Sequence, residues 1–405
     1  MKQLFSCIFS FAILLFLGLN AQADMTRDFD RIWKTARSEI YPADKSDIFT
    51  EQQRLFLRNL ARQATTTEQL AALINPFLRS LNISHTYLYD TKNPDYYFMR
   101  SLFTTRTISE PKINHIGIQV RAEGDRYIVR TVLEGYPAQQ AGLRRGDVLV
   151  SVNGKPFHPF DSFNDGAQLF RIDLLRNGTK ARIPVNAVYE SPHESFWKAT
   201  ANSVKRYDFN GLRIGYLHLW SGTNERFLAT LKKAVLETFV ETDGLILDLR
   251  DGFGGAWWDY LDPFFADTET YFKPRLDTRE GTGEETSAPP HRNDPYYQKP
   301  LVVLINEGVR SGKESLAYQF KKTQRATLVG TTTRGAFTAG KGIFADEDQQ
   351  YLLYLAIGEA FLDGQKIEGV GIQPDIIVPW PLNSSAENDP QLETARQFFL
   401  RRPGQ

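Results

Sequence analysis

Apolar residues between positions 24 and 83 return at the helical interval. Phe29, Ile32, Trp33 and Ala36 fall at i, i+3, i+4 and i+7, and a second amphipathic run follows through Leu55, Leu57, Leu60 and Ala61. Thr65, Thr66, Thr67 and Glu68 then give a start signal for a third helix carrying Leu70, Leu73, Ile74 and Phe77. The spacing predicts a small N-terminal helical domain over residues 24–83. A connection over 84–109 begins with the polar pair Ser84-His85 and a short β-type run.

From about position 110 the period changes to two. Residues 116–120 and 127–132 alternate as strands, 137–142 reads as a short helix with a glycine stop, and 147–154 as a strand running into an Asn-Gly turn. This unit fills 110–190. Beyond Val204, residues 215–219, 244–249, 301–306 and 326–330 are short apolar runs separated by helical stretches, as in parallel strands covered on both faces. An α/β core is expected over 204–381, with residues 268–300, rich in Thr, Gly, Glu and Pro, as a surface excursion. The remainder, 382–405, holds a capped helix with Pro390 at its first position.

The composition narrows the class. Over 405 residues, 48 Lys+Arg face 48 Asp+Glu, and 41% of positions are hydrophobic. Such a chain has enough to bury and lacks the basic surplus of a nucleic-acid binder. Its length suits two or three domains. The six histidines (His85, His115, His158, His193, His218, His291) show neither H-E-x-x-H nor paired ligand spacing, so no metal or other cofactor is expected. The single cysteine, Cys7, lies in an apolar run over 4–19 that follows Lys2 and precedes Ala21-Gln22-Ala23. Residues 1–23 therefore read as a secretory signal peptide, with an uncleaved anchor as the alternative. Its removal would leave no cysteine and a balance of one negative charge, with no later segment able to span a membrane. A periplasmic or secreted location is expected.

Candidate chemistry sits after the apolar run 301–306, at Ser311-Gly312-Lys313-Glu314. A serine at a strand-to-helix turn presents its hydroxyl beside free helix N–H groups, which suits a nucleophile and an oxyanion site. The same four residues satisfy S-x-x-E, so a plain N-cap is the competing explanation.

Larger strings decide between them. Pro137-Ala-Gln-Gln-Ala-Gly-Leu-Arg-Arg-Gly-Asp-Val-Leu-Val-Ser-Val-Asn-Gly154 resembles a PDZ domain. That resemblance implies a peptide C-terminus added as a strand, its carboxylate received by the loop His115-Ile116-Gly117-Ile118. Behind it come Leu247-Asp-Leu-Arg-Asp-Gly-Phe-Gly254-Gly255, then Ser311 with Glu314, then Glu368-Gly-Val-Gly-Ile-Gln-Pro-Asp375. In that order, over about residues 84–381, the chain resembles the C-terminal processing (tail-specific) serine proteases.

The resemblance implies an α/β protease core of ClpP/crotonase-like βαβ units, with an inserted PDZ domain and an N-terminal helical domain. It makes Ser311 the nucleophile, with Gly254 or Gly255 and Gly312 giving the oxyanion N–H groups. The family's Lys in Thr-x-Gly-Lys-Gly is missing, since this chain reads Thr333-Arg334-Gly335-Ala336. Lys341, in Gly340-Lys341-Gly342, is an alternative base that would require an insertion in the match, while Lys313, two residues along the helix, is expected to be a solvated side chain. The tricorn-type branch lacks that Lys and uses Ser, His and Glu with a second Ser beside the His. This assigns His85 as general base, Glu368 to orient its imidazole, and Ser84 to link the groups. Trp257 and Trp258 are read either as core or as an apolar subsite.

The implied function is a serine endopeptidase acting through an acyl-enzyme on peptides or unfolded protein tails. Neither nucleic acid nor, after signal cleavage, a membrane is an expected partner, and homo-oligomerisation stays open. A catalytically degenerate PDZ-containing adaptor is the alternative, with an ester or amide hydrolase of envelope material a third.

Overall fold

The structure is a computed structural model and describes residues 25–102, 110–344, 350–382 and 389–400. The segment read as a signal peptide, with Cys7, lies outside the described residues. Helices α1 (Thr26–Glu39), α2 (Glu51–Ala61) and α3 (Thr67–Ser80) come first. Thr50 and Gln53 form a capping box on α2, and Thr66 Oγ1 accepts from the Gln69 N–H at 3.2 Å at the start of α3. Phe29, Ile32, Trp33 and Ala36 are all buried, as their spacing predicts. They do not close on helices alone. They share a core with Leu70 and Ile74 of α3 and with Leu88, Leu353 and Leu355 of a sheet. The helical unit is therefore a layer laid on that sheet, and α2 contributes only Ala61 as a buried residue.

Strand β1 (Tyr87–Asp90) and helix α4 (Pro94–Leu102) follow. The next unit is entered at Ile113–His115 and left at Val188–Glu190, and these two segments pair antiparallel, so the chain departs and returns at adjacent points. Between them lie β2 (Ile118–Glu123), β3 (Arg126–Val132), α5 (Pro137–Gln140), β4 (Val148–Val152), β5 (Leu169–Arg176) and β6 (Thr179–Asn186), paired in that strand order. Asn153 and Gly154 both have positive φ (51° and 81°), which the two-residue turn after β4 requires.

The core begins with α6 (Pro192–Ser203), β7 (Lys205–Phe209), β8 (Leu212–His218), α7 (Glu225–Lys233) and β9 (Gly244–Asp248). It continues with β10 (Pro274–Thr278), β11 (Leu301–Ile305), α8 (Gly312–Lys322), β12 (Thr327–Gly330), β13 (Thr338–Phe344), β14 (Tyr351–Leu362), β15 (Ile376–Ile377) and α9 (Pro390–Leu400). One sheet runs β7-β8-β9-β11-β12-β15, parallel except for β7 on β8. Every residue of β9 and β11 is buried, which is why both read as unbroken apolar runs. A second sheet is built on β14, which pairs with β1, β10 and β13. The excursion over 268–300 is thus not all surface, because β10 lies along β14 with Pro274 opposite Leu362. Among the described residues no helix is long and apolar enough to cross a membrane.

The parallel strands follow one another in chain order, so the loops leaving their carboxyl ends converge on one edge. The end of β9 is anchored there by ions. Arg250 donates to the buried Asp248 carboxylate at 2.6 and 2.9 Å and to Gln391 Oε1 of α9 at 2.9 Å. Burial pushes the Asp248 carboxyl up, and the Arg250 guanidinium more than reverses this, holding it below the usual range.

Asn75 fixes where β1 begins. Its Nδ2 donates to the Leu88 carbonyl at 3.0 Å and its Oδ1 accepts from the Leu88 N–H at 2.8 Å, both buried. Asn75→Ala leaves those two backbone groups without partners and is expected to destabilise the protein by about 2 to 4 kcal/mol. Urea unfolding would register this as a lower midpoint at unchanged slope.

Candidate active site

Ser311 stands at the turn from β11 into α8 with φ 54° and ψ −138°, a conformation costly for a residue with a Cβ. The surrounding bonds enforce it. The Ser311 N–H donates to the Ala336 carbonyl at 2.9 Å and to Glu314 Oε2 at 3.1 Å, and the Glu314 N–H donates to the Ser311 carbonyl at 2.7 Å. Glu314 and Ser311 do form the capping box, but its short bonds run through the Ser311 backbone. Glu314 is fully buried and also accepts from Thr333 Oγ1 at 2.6 Å, the Gly335 N–H at 2.7 Å and the Ala336 N–H at 2.9 Å. Burial pushes its carboxyl up, and the donors offset only part of that rise.

The glycine turn after β9 lies directly against this serine. A Cβ on Gly254 would fall 2.6 Å from Ser311 Cβ and 3.1 Å from its Oγ. One on Gly312 would meet the carbonyls of Gly255 and Ala256 at 2.2 and 2.3 Å. Both positions therefore exclude side chains. The Gly254 carbonyl is held by the Gly222 N–H at 3.0 Å and by Ser221 Oγ at 3.1 Å. Among the described residues the N–H groups of Gly254 and Gly312 have no acceptor, so both are available to an oxyanion.

His85, like Ser311, has positive φ (51°). Its Nδ1 lies 2.8 Å from the Thr338 carbonyl oxygen, which can only accept, so Nδ1 carries the proton and Nε2 presents its lone pair. This is the tautomer that a base acting through Nε2 needs. Burial lowers the imidazole pKa, Arg310 adds to this, and the Thr338 bond and Glu368 oppose it. Glu368 does not bond the imidazole. Its carboxylate accepts from the Ser84 N–H at 2.9 Å, Ser84 Oγ at 2.8 Å and the Phe337 N–H at 2.6 Å. Ser84 Oγ is 2.9 Å from Thr338 Oγ1, which in turn is 3.1 Å from His85 Nδ1. The link from Glu368 to His85 thus runs through Ser84 and Thr338. No hydrogen bond joins Ser311 Oγ to His85 among the described residues, a contact that commonly tightens only when substrate seats.

Thr338 escapes sequence reasoning because its role depends on β13 lying beside the Ser84-His85 turn. Lys313 requires a correction. It is fully buried, with Nζ donating to the carbonyls of Asp251 at 2.6 Å, Leu219 at 3.1 Å and Trp220 at 3.4 Å. The start of α8 is covered on all sides, so two residues along the helix from Ser311 means the end of β8, not solvent. Burial pushes the Lys313 amine down to about 7. Lys341 instead bonds Glu39 at 2.8 Å with half its side chain exposed, and no bond links it to Ser311. Trp258 is tied by Nε1 to the Phe272 carbonyl at 3.0 Å, whereas Trp257 is exposed beside the glycine turn, where an apolar subsite would lie. No cluster of metal-ligating side chains occurs among the described residues.

The loop 115–118 borders a cavity of about 530 Å³ that also touches Asp251, Phe253 and Arg310. Within the loop, the Gly117 N–H donates to His115 Nδ1 at 3.1 Å. Burial holds His115 near a pKa of about 4, so it is neutral, and its Nε2–H faces Ser195 Oγ at 3.0 Å. One N–H of the expected carboxylate loop is therefore turned to the loop's own histidine. The same unit reaches the glycine turn: Gln119 Oε1 accepts from the Gly252 N–H at 3.1 Å, and Arg130 donates to Asp251 at 2.6 Å.

Lys313 predicts a pH dependence of stability. Between about pH 7 and about pH 10 the unfolded chain holds a proton that folded Lys313 has released, so stability rises with pH there, by up to about 1.4 kcal/mol per unit. Urea melts at intervals across that window should show the rise in the native protein and its loss in Lys313→Met.

Residues 213–378 match peptidase family S41, and residues 128–173 match a PDZ domain. The chain is 24% identical over 94% of its length to the tricorn protease of Thermoplasma volcanium, of which it spans 37%. It is 27% identical to the carboxyl-terminal-processing protease of Synechocystis, covering 82% of this chain and 74% of that one. It is also 27% identical to the carboxy-terminal-processing protease of Bartonella bacilliformis, covering 76% and 69%. The solved photosystem II D1 C-terminal processing protease shares the fold with a TM-score of 0.56 at 18% identity, covering 93% of this chain and 97% of that one. The tricorn protease structure gives 0.52 at 18% identity, covering 93% and 36%. With the serine turn, the glycine turn and the inserted unit in place, residues 213–378 match peptidase family S41 and residues 128–173 a PDZ domain, and the chain is similar in sequence to carboxyl-terminal-processing proteases.

Proposed function

We propose that this chain is an exported endopeptidase that cleaves peptides or unfolded protein tails through an acyl-enzyme on Ser311. The observation that carries this reading is the strained Ser311 turn, packed against two glycines whose N–H groups have no acceptor among the described residues, and bonded at Ala336 to the same backbone segment whose Thr338 carbonyl holds His85 in the Nδ1–H tautomer. Ser311 Oγ attacks the peptide carbonyl as His85 Nε2 takes its proton, and the N–H groups of Gly254 and Gly312 receive the oxyanion. His85 then protonates the leaving amine and activates water for deacylation. Glu368 and Ser84 act as positioning residues, holding Thr338 and through it the ring. Export rests on the signal-like segment 1–23.

The PDZ unit supports capture of the substrate as an added strand beside β2, in the cavity that ends near Ser311. A second reading is favoured by one fact, that Ala336 stands where relatives of the processing type carry their lysine. On that reading the protein is an adaptor that binds peptides without cutting them.

The two readings part on a direct measurement. Ser311→Ala and His85→Ala are each expected to lower turnover of an unstructured peptide by at least about 10³-fold, with peptide binding intact. Lys341→Ala should leave turnover unchanged. Absence of both cleavage and fluorophosphonate labelling of Ser311 in the native protein would select the adaptor. Because burial lowers the His85 pKa, kcat/KM should rise through a midpoint below the usual histidine value and then hold level, so activity persists in mild acid.

A further inference from the structure

Arg310, the residue before Ser311, makes no ion pair among the described residues. Its Nε makes one long contact, 3.5 Å, to the carbonyl of Gly308 in its own loop, and its guanidinium lies 5.6 Å from the centre of the Phe253 ring. Among the described residues no carboxylate comes within 4.0 Å of it. Neighbouring arginines are paired: Arg130 bonds Asp251, and Arg250 bonds Asp248 and Asp389. Arg310 faces the cavity that runs back to the PDZ loop, with Tyr87, Asp95, Phe98 and Phe253 around it. Asp95, one of the acidic residues lining the cavity, forms no ion pair with it among the described residues; burial pushes the Asp95 carboxyl up, and the charge of Arg310 offsets part of that rise.

A half-buried guanidinium with no ion pair, on a cavity wall of mixed apolar and charged groups, is open to a ligand anion that would give it a partner. Two parallel N–H···O bonds to a carboxylate are the geometry it is built for. Its place in the chain, one residue from the nucleophile, ties any such anion to positions close to the bond being cut. Resting on the peptidase reading above, we propose that Arg310 is a specificity-determining residue that receives a carboxylate of the peptide substrate. That carboxylate belongs either to an acidic side chain near the cleaved bond or to the chain terminus. The turning of the Gly117 N–H to His115 leaves the PDZ loop one donor short for a terminal carboxylate, so a second receptor serves either source.

The test uses three unstructured peptides of one length: one with Glu beside the cleavage position and an amidated end, one with Gln there and an amidated end, and one with Gln and a free end. Turnover is measured with the native protein, Arg310→Gln, Arg310→Glu and Asp95→Asn. Binding of the same peptides is measured by fluorescence anisotropy on Ser311→Ala, alone and combined with Arg310→Gln. A charge-assisted bond predicts that the native protein prefers a carboxylate-bearing peptide by about 10-fold to 100-fold, mostly in KM. Arg310→Gln removes the preference, Arg310→Glu reverses it in favour of the Gln peptide with the amidated end, and Asp95→Asn strengthens it. Preference for the Glu peptide assigns the side chain as the source, and preference for the free end assigns the terminus. Equal handling of all three, or a preference that survives in Arg310→Gln, overturns the inference while leaving the peptidase intact. A carboxylate preference in binding without turnover would uphold Arg310 and overturn the peptidase instead.

Discussion

The buried carboxylate of Glu314 is the constraint on which the site depends. It takes the Ser311 N–H on one side and three donors from residues 333–336 on the other. The serine is thereby kept at positive φ, and the segment that continues into β13 is tied to it. Phe337 and Thr338 come next along that segment. The Phe337 N–H reaches Glu368, whose other bonds hold Ser84, and the Thr338 carbonyl holds the His85 ring. Each further element of the candidate triad is therefore positioned relative to Ser311 through one carboxylate and one strap of backbone. Strain of about 1 to 3 kcal/mol at Ser311 can persist because so many bonds determine the turn.

Much of the architecture is written in periodicity. The buried stripe of α1 and the continuous apolar runs of β9 and β11 are direct statements of which faces lie inside. Gly254 and Ser311 meet at one edge because the parallel strands β9 and β11 deliver their following loops to the same side, whereas Glu368 follows the antiparallel sheet and is tied in by the Phe337 and Ser84 N–H groups. Long-range coverage was not legible. Lys313 reads as exposed on a helix considered alone, and only the packing of α8 beneath the end of β8 turns three backbone carbonyls toward its amine. Asn75 and Thr338 carry no local signal either, since each acts on a segment that a sheet register brings to it. The apolar stripe of the helical layer likewise says that it buries a face, while the sheet residues Leu88, Leu353 and Leu355 that supply the other half carry no mark of it in the sequence.

On the mechanism proposed above, His85 serves as a base in place of the processing-type lysine. A lysine base needs burial to depress its pKa. The buried lysine beside this serine, Lys313, has its amine directed to three carbonyls and away from the hydroxyl. Histidine needs less perturbation, because its ordinary pKa is already close to working pH and only the tautomer must be chosen. The backbone carbonyl of Thr338 makes that choice without adding a second negative charge next to the ring.

The Asp251-Gly252 peptide joins these features to the PDZ domain. Its carbonyl oxygen takes the 2.6 Å bond from Lys313, and its N–H gives the 3.1 Å bond to Gln119 on β2. One end of the plane is thus held by the core and the other by the strand against which a peptide would add. Two residues later stands Gly254, whose free N–H must point at a developing oxyanion to be of use. A peptide plane bonded at both ends cannot rotate without breaking one of those bonds. The direction of the glycine turn is consequently shared between a buried amine and the PDZ unit.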